Sequence, residues 1–235
     1  MASILTKETL RRLISDIKEI KKNPLTSHGI YYEHDDTEIL KGKALIIGPK
    51  DTPYENGFYL FKFSFPLNYP HSPPTVTFST TDDYTRFNPN LYRTGKVCLS
   101  ILNTWQGEPW SGCQTISSIL LALCTVLNNE PFLNEPGILR SNPDFDSYHS
   151  ILRYKNIEIA ILDTLENDAI KNEFGVFMEI MQEHFSRHTK TLRETICEES
   201  KKDAILAITS IYRLKVMIDY KSLLEKFDSF ISLQK

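Results

Sequence analysis

The sequence has few cysteines, no strong excess of charge of either sign and no long apolar run. Its 4 cysteines in 235 residues form neither a CxxC pair nor the spacing of a zinc site, and such isolated thiols are typical of a reducing compartment. The formal net charge of −3 lacks the basic excess that a nucleic-acid partner requires. No segment approaches the ~18 consecutive apolar residues of a membrane span. We therefore expect a cytoplasmic protein, with a nuclear location left open, that binds neither nucleic acid nor a membrane.

The first residues also lack the basic and apolar regions of a secretory signal. The composition is that of an ordinary globular protein, with 41% hydrophobic and 24% charged residues. The length allows one substantial domain with an extension, or two small domains.

The N-terminal half of the chain predicts a helix followed by four strands. Apolar residues recur at helical spacing across residues 7–22, and β-rich runs separated by turn residues follow. These runs cover residues 28–33, 44–47, 58–65 and 75–78. Four short strands joined by short turns favour an antiparallel meander, flanked by helices in an α+β fold. Another helix is predicted over residues 115–127, with Leu121 on the side opposite its apolar stripe.

The composition changes after residue 143. Proline and glycine become rare, and apolar residues recur at helical spacing in three or four segments of the remaining chain. An amphipathic helix needs a surface that covers its apolar stripe, so we expect this helical extension to pack on the N-terminal core. We place the division between residues 1–149 and residues 150–235.

The most informative motif surrounds Cys98. Asn90 lies eight residues before it, with Pro89 at one end of the stretch and a glycine turn between them. Because Pro89 disfavours a helix here, we expect the Asn90 carboxamide and the Cys98 thiol on opposite sides of one groove. The nearest histidines in the sequence, His71 and His149, give a Cys–His nucleophile pair no local support.

With Trp110-Ser111 and two further motifs, this stretch resembles the ubiquitin-conjugating enzymes. That family carries a Pro-rich segment after its third strand, as at Phe65–Pro74, and a loop before its third helix, as at Pro131–Pro136. The motifs occur in the family's order, and the resemblance covers roughly residues 5–165. Three details are similar to one branch of the family. They are the segments Arg86–Asn90, Cys98–Leu102 and Asn134–Gly137.

The resemblance implies a ubiquitin-conjugating-enzyme-like fold in which residues 1–149 are the catalytic core. It implies that Cys98 accepts ubiquitin or a ubiquitin-like modifier from an activating enzyme as a thioester. The modifier would then pass to a ligase or to a lysine of a protein substrate. Asn90 would stabilise the oxyanion of that second step, and Glu135 would face the incoming lysine. The family uses no metal and no organic cofactor.

Each of these residues also has a structural interpretation, which stays open. Cys98 could be a small buried hydrophobe, Asn90 could pin the Pro turn through local backbone bonds, and Glu135 could be an ordinary exposed loop residue. Two other functions also stay open. One is a catalytically silent ubiquitin-binding module on the same fold, and the other is a hydrolytic cysteine enzyme with a histidine brought to Cys98 by the fold.

The resemblance further implies two sets of contact residues. Leu121 and Ser100 would contact the donor ubiquitin, although burial of Leu121 against a neighbouring segment is an equal alternative. The activating enzyme and the ligase would dock on a second set. This set comprises Arg11, Arg12, Lys18, His71 and Gly112. The basic residues of the first helix could instead form a solvated face with local ion pairs.

Four positions depart from the family's pattern. Asn88 stands where a His is usual, and we expect the chemistry to survive because that residue mainly shapes the loop. Ser100 replaces an Asp and removes one charge near the incoming lysine. His71 replaces a Phe that grips ligases and Gly112 replaces a Pro, which puts ordinary ligase binding in doubt. Residues 103–109 also lengthen the loop between Cys98 and Trp110.

Overall fold

A four-stranded antiparallel sheet forms the centre of the protein. The structure is a computed structural model, and it describes residues 5–233. The strands are β1 (Ile30–His34), β2 (Lys41–Ile47), β3 (Phe58–Ser64) and β4 (Thr75–Phe78). Each strand pairs with the next along the chain, and Ile46 of β2 lies between Ile30 and Tyr59. The predicted meander is therefore confirmed.

The helix α1 (Lys7–Lys22) precedes the sheet, as predicted. Thr6 begins it, because its side chain accepts a hydrogen bond from the Thr9 N–H. Leu13 and Ile20 are buried on the inner face of the helix. Within residues 5–233, no helix is both long enough and apolar enough to span a membrane.

The helix α2 (Ile116–Val126) follows the segment that carries Cys98. Thr115 and Ser118 form a reciprocal capping box at its start. Its apolar stripe is fully buried. The stripe consists of Ile116, Ile119, Leu120 and Leu123. Burial of this face orients the helix, and its last carbonyl groups then lie beside the candidate site described below.

The C-terminal extension is mostly helical, as predicted, and continues directly from the core. α3 (Phe145–Lys155) runs into a π-helical stretch (Asn156–Asp163) and then into α4 (Thr164–Glu166). The division predicted between residues 149 and 150 falls inside α3, so core and extension share one helical segment. Three more helices follow. They are α5 (Asp168–Phe174), α6 (Met178–Glu199) and α7 (Tyr220–Leu233).

Asn156 joins the extension to the central sheet. Its Oδ1 accepts a hydrogen bond from Tyr59 Oη at 2.6 Å, and its Nδ2 donates to the Glu55 carbonyl at 2.9 Å. Gly57 permits this contact, because a Cβ at that position would lie 2.0 Å from Asn156 Oδ1. A side chain at residue 57 would therefore push the extension away from the sheet.

The extension also contains a β-hairpin that the sequence analysis missed. β5 (Ile205–Thr209) and β6 (Leu214–Ile218) pair antiparallel between α6 and α7. In β6 the buried residues Leu214, Val216 and Ile218 alternate with exposed ones, which is the period of a strand with one covered face. The expectation of helices alone was incomplete here.

Candidate active site

Asn88 organises the turn that precedes Asn90. Its side chain is fully buried, and its Oδ1 accepts a hydrogen bond from the Asn90 N–H at 2.9 Å. Its Nδ2 donates to the Val126 carbonyl at 2.7 Å and to Tyr54 Oη at 2.8 Å. Both ends of the carboxamide are thus used to shape the loop, which is the role expected at this position.

Arg86 stabilises the same turn through its backbone carbonyls. Its guanidinium donates to the Asn88 carbonyl at 3.0 Å and to the Pro89 carbonyl at 2.6 Å. It also stacks on Tyr92, with its carbon 3.3 Å from the ring centroid. A buried guanidinium needs hydrogen-bond acceptors for its N–H groups and is stabilised by an aromatic face. Arg86 therefore holds the Asn88 and Pro89 carbonyls in fixed directions beside Asn90.

Asn90 and Cys98 lie side by side on adjoining segments. The Cys98 N–H donates to the Asn90 carbonyl at 2.8 Å, and Asn90 Nδ2 donates back to the Cys98 carbonyl at 2.8 Å. The Asn90 side chain thus has a structural contact, but with the Cys98 segment and not with the backbone of the Pro turn. An amide carries two N–H donors, so this contact is compatible with the oxyanion role, which stays a prediction.

The Cys98 residue is nearly inaccessible in this conformation. It exposes 1% of its surface and Asn90 exposes 6%, so the expected open groove between them is absent and this expectation was wrong. Cys113 is exposed, while Cys124 and Cys197 are partly buried. Because Cys98 is buried, its sulfur offers almost no surface to a reaction partner in this conformation.

The lengthened loop after Cys98 folds back on the acceptor segment. Thr104 Oγ1 accepts from the Leu99 N–H at 3.0 Å and donates to the Val97 carbonyl at 2.9 Å. Gly107 has a φ of 128°, and a Cβ there would lie 3.0 Å from Ser100 Cβ. Residue 107 therefore has to be glycine for the loop to lie this close to Ser100, which is partly buried.

Glu135 lies at the end of a short 3-10 turn, Pro131–Asn134. Asn134 Nδ2 donates to the Val126 carbonyl at 3.1 Å, the same carbonyl that Asn88 contacts. The Val126 carbonyl at the C-terminal end of α2 thus accepts hydrogen bonds from both the Asn90 turn and the Glu135 loop. Glu135 Oε2 accepts a hydrogen bond from Tyr212 Oη at 2.6 Å. The alternative of a freely exposed loop glutamate does not hold.

Leu121 projects from α2 with 40% of its surface exposed. Burial against a neighbouring segment, the alternative considered for it, is therefore wrong. Its contact with a donor ubiquitin, like that of Ser100, stays a prediction.

Arg12 differs from the other basic residues assigned to docking. Arg11 and Lys18 are exposed on α1. The Arg12 guanidinium instead donates to the carbonyls of Gly112 and Gln114. It therefore ties α1 to the loop before α2, and its use as a free docking contact is not supported. Docking through Arg11 and Lys18 stays a prediction.

His71 and Gly112 lie on the surface near the start of α1. The His71 side chain is 69% exposed, with its Nε2 3.5 Å from Glu8 Oε1. Gly112 is exposed and accepts from Arg12 through its carbonyl. Trp110 anchors the adjoining segment, since its Nε1 donates to the Pro70 carbonyl at 2.7 Å. Ligase docking on this surface stays a prediction.

The hydrolytic alternative needs a histidine beside Cys98. Over the described residues 5–233, no histidine forms a hydrogen bond with Cys98. His149, for example, directs its Nδ1 to the Phe145 carbonyl at 2.7 Å. In the same part of the chain, no group of three His, Cys, Asp or Glu side chains is close enough to hold a metal ion.

Comparison with known families decides the assignment of the fold. Residues 12–140, more than half of the chain, match the model described as Ubiquitin-conjugating enzyme. The chain belongs to the ubiquitin-conjugating enzyme family. The resemblance built on the Asn90, Cys98 and Trp110 motifs is thereby confirmed, together with the predicted α+β fold.

The relatives also identify the branch. Ubiquitin-conjugating enzyme E2 Z of Homo sapiens is 44% identical over 162 residues, which are 68% of this chain and 45% of that protein. The Danio rerio E2 Z is 39% identical over 197 residues, 83% of this chain and 58% of that protein. The three details singled out in the sequence point to this Z type, and the prediction is confirmed. The chain spans about half the length of these curated relatives.

Among solved structures, that of human Ubiquitin-conjugating enzyme E2 G1 is 32% identical, with a TM-score of 0.45. The match covers 52% of this chain and 94% of that one.

Tyr212 is the residue at this site that sequence reasoning missed. It lies in the turn of the hairpin, 77 residues after Glu135, and the extension was expected to be helical there. The alternating pattern of β6 could have indicated a hairpin, but no local signal in the sequence pairs residue 212 with residue 135.

Proposed function

We propose that this chain is an active conjugating enzyme. Cys98 accepts ubiquitin or a ubiquitin-like modifier from an activating enzyme, which consumes the ATP, and passes it to a ligase or to a lysine of a protein substrate. The observation that carries the proposal is the mutual hydrogen bonding of Asn90 and Cys98, with the Glu135 loop fastened to the same helix end.

The loading step exchanges one thioester for another. The Cys98 sulfur attacks the carbonyl carbon of the modifier's thioester, and the thiol of the activating enzyme leaves. A thiolate is an intrinsically strong nucleophile, and the exchange is nearly balanced in energy. The step therefore needs access and positioning more than acid–base assistance. Access requires opening of the enclosed segment around Cys98.

The transfer to lysine is chemically harder. Lysine has a pKa of ~10.4, so presenting the neutral amine at pH 7 costs about 4–5 kcal/mol, at ~1.36 kcal/mol per pH unit. As the amine attacks, negative charge develops on the thioester oxygen. The second N–H of Asn90 stabilises that charge, and such a donor is typically worth ~10²–10³ in rate. Glu135 accepts the proton of the amine, directly or through water.

The silent binding module is not favoured as an alternative. Such a module needs neither a thiol acceptor nor an amide held against its carbonyl, whereas this chain has both. The choice between ubiquitin and a tandem ubiquitin-like modifier remains part of the proposal. A loading panel of several activating enzymes crossed with several modifiers and ATP identifies the pair used.

The site assignment is tested on the adduct itself. We expect the unaltered protein to form an adduct that a reductant cleaves, and Cys98→Ser to form an ester that a reductant does not cleave. A matched control replaces Cys113, Cys124 and Cys197 with serine together, leaving Cys98 as the sole thiol. This variant should load normally. A reductant-sensitive adduct on Cys98→Ser would contradict the assignment, and no adduct with any pair would favour the silent module.

A further inference from the structure

The hairpin turn of the extension reaches back onto the loop that carries Glu135. At 2.6 Å, the hydrogen bond from Tyr212 Oη to Glu135 Oε2 is short. Over residues 5–233, no other side chain or backbone group donates to either oxygen of this carboxylate. One oxygen is therefore held by the extension, and Oε1 is left for a substrate amine.

The backbone of this turn is held in place without the Tyr212 hydroxyl. Asp144 Oδ2 accepts from the Ser210 N–H at 2.8 Å, from Ser210 Oγ at 2.8 Å and from the Ile211 N–H at 3.0 Å. Tyr84 Oη accepts from the Lys215 N–H at 2.7 Å. The Arg93 guanidinium also donates to the Tyr212 carbonyl at 2.5 Å. The turn is thus docked on the core through three residues, and removal of the Tyr212 hydroxyl leaves these contacts intact.

The Tyr212 ring also has its own packing. Its centroid lies 6.0 Å from that of Phe132 and 5.4 Å from that of Tyr148, and the Arg86 guanidinium carbon is 5.4 Å away. Burial, followed by the hydrogen bond to the Glu135 carboxylate, raises the pKa of Tyr212 well above its ordinary value. The hydroxyl therefore remains a protonated donor throughout the physiological range of pH.

We propose that Tyr212 is a positioning residue, through which the C-terminal extension holds Glu135 in the orientation used for transfer to lysine. The inference rests on the proposed role of Glu135. A carboxylate on a loop has several rotamers, and a fixed donor on one oxygen selects one of them. The extension then affects transfer to lysine and leaves the loading of Cys98 unchanged.

The test compares two tyrosines whose hydroxyl groups each form a contact between the hairpin and the core. Tyr212→Phe removes the hydroxyl on Glu135 and keeps the ring. Tyr84→Phe removes a hydroxyl that holds the hairpin but does not touch Glu135. We expect both variants to load like the unaltered protein. Discharge of the preloaded adduct to free lysine should be about 10- to 100-fold slower for Tyr212→Phe, the typical effect of losing a hydrogen bond to a charged group. It should be nearly unchanged for Tyr84→Phe.

Glu135→Gln and the double variant complete the experiment. If Tyr212 acts through Glu135, the double variant discharges at the rate of Glu135→Gln alone, and the Tyr212→Phe defect shrinks as pH rises. A double variant whose defect is the product of the two single defects would overturn the inference. Normal discharge by Tyr212→Phe, together with slow discharge by Glu135→Gln, would also overturn it. Normal discharge by Glu135→Gln would instead overturn the role of Glu135 itself, and the inference with it.

Discussion

Replacement of Asn90 by alanine tests whether its amide has two tasks. In the folded protein, Asn90 Nδ2 donates to the Cys98 carbonyl at 2.8 Å, and the residue is 6% exposed. Removing a buried donor costs about 1–3 kcal/mol of stability. In a protein of this size, 1 kcal/mol lowers Tm by ~2–4 °C, so we expect Tm to fall by about 2–12 °C in a thermal melt.

The chemical task should appear in one step only. Loading creates no amine to deprotonate, so Asn90→Ala should load at nearly the normal rate below its melting transition. Discharge of the preloaded adduct to free lysine should be ~10²-fold slower, because the donor to the oxyanion is lost. The assay is single-turnover decay of purified thioester with added lysine, compared with its hydrolysis without lysine.

Thr104→Val separates loss of chemistry from a loosened segment. It removes the hydroxyl that bridges Val97 and Leu99 in the same segment as Cys98, at a cost of about 1 kcal/mol. We expect its discharge rate to stay within about threefold of normal. If Thr104→Val discharged as slowly as Asn90→Ala, or if Asn90→Ala failed to load at all, the oxyanion role would be refuted and a structural role would remain.

Two further predictions concern pH. Glu135→Gln should load normally and discharge to lysine ~10²-fold slower at pH 7, but less than ~10-fold slower near pH 9.5, because more of the lysine is then already neutral; a constant defect would contradict proton acceptance by Glu135. Burial, with the nearby charges of His188 and Arg187, lowers the pKa of His184 from 6.5 to about 4. As pH falls, the unfolded chain therefore protonates His184 at a higher pH than the folded protein does. The stability that neutral His184 contributes is complete above pH 6.5 and is lost as pH falls toward 4. Because the ring is partly exposed, we discount the effect to about 1 kcal/mol, or ~2–4 °C in Tm. The Tm advantage of the unaltered protein over His184→Asn should narrow by that amount between pH 7.5 and pH 5, and an unchanged gap would exclude the linkage.

The sequence by itself determined the features that depend on local pattern. Helical spacing predicted α1 and α2, and β-rich runs separated by turn residues predicted the four strands of the meander. The order of the motifs around Cys98 predicted the family. Leu121 was correctly placed on the outer side of α2, because helical periodicity alone fixes which face a residue shares with its neighbours.

The tertiary structure alone decided which distant residues meet. Arg12 bonds to carbonyls about 100 residues away, and Tyr212 reaches Glu135 across 77 residues. The β5–β6 hairpin was missed because its outer face carries apolar residues such as Ile208 and Met217, which blur the alternation of a half-covered strand. Such partners are chosen by packing of whole elements, and a local pattern carries no information about which surface will cover it.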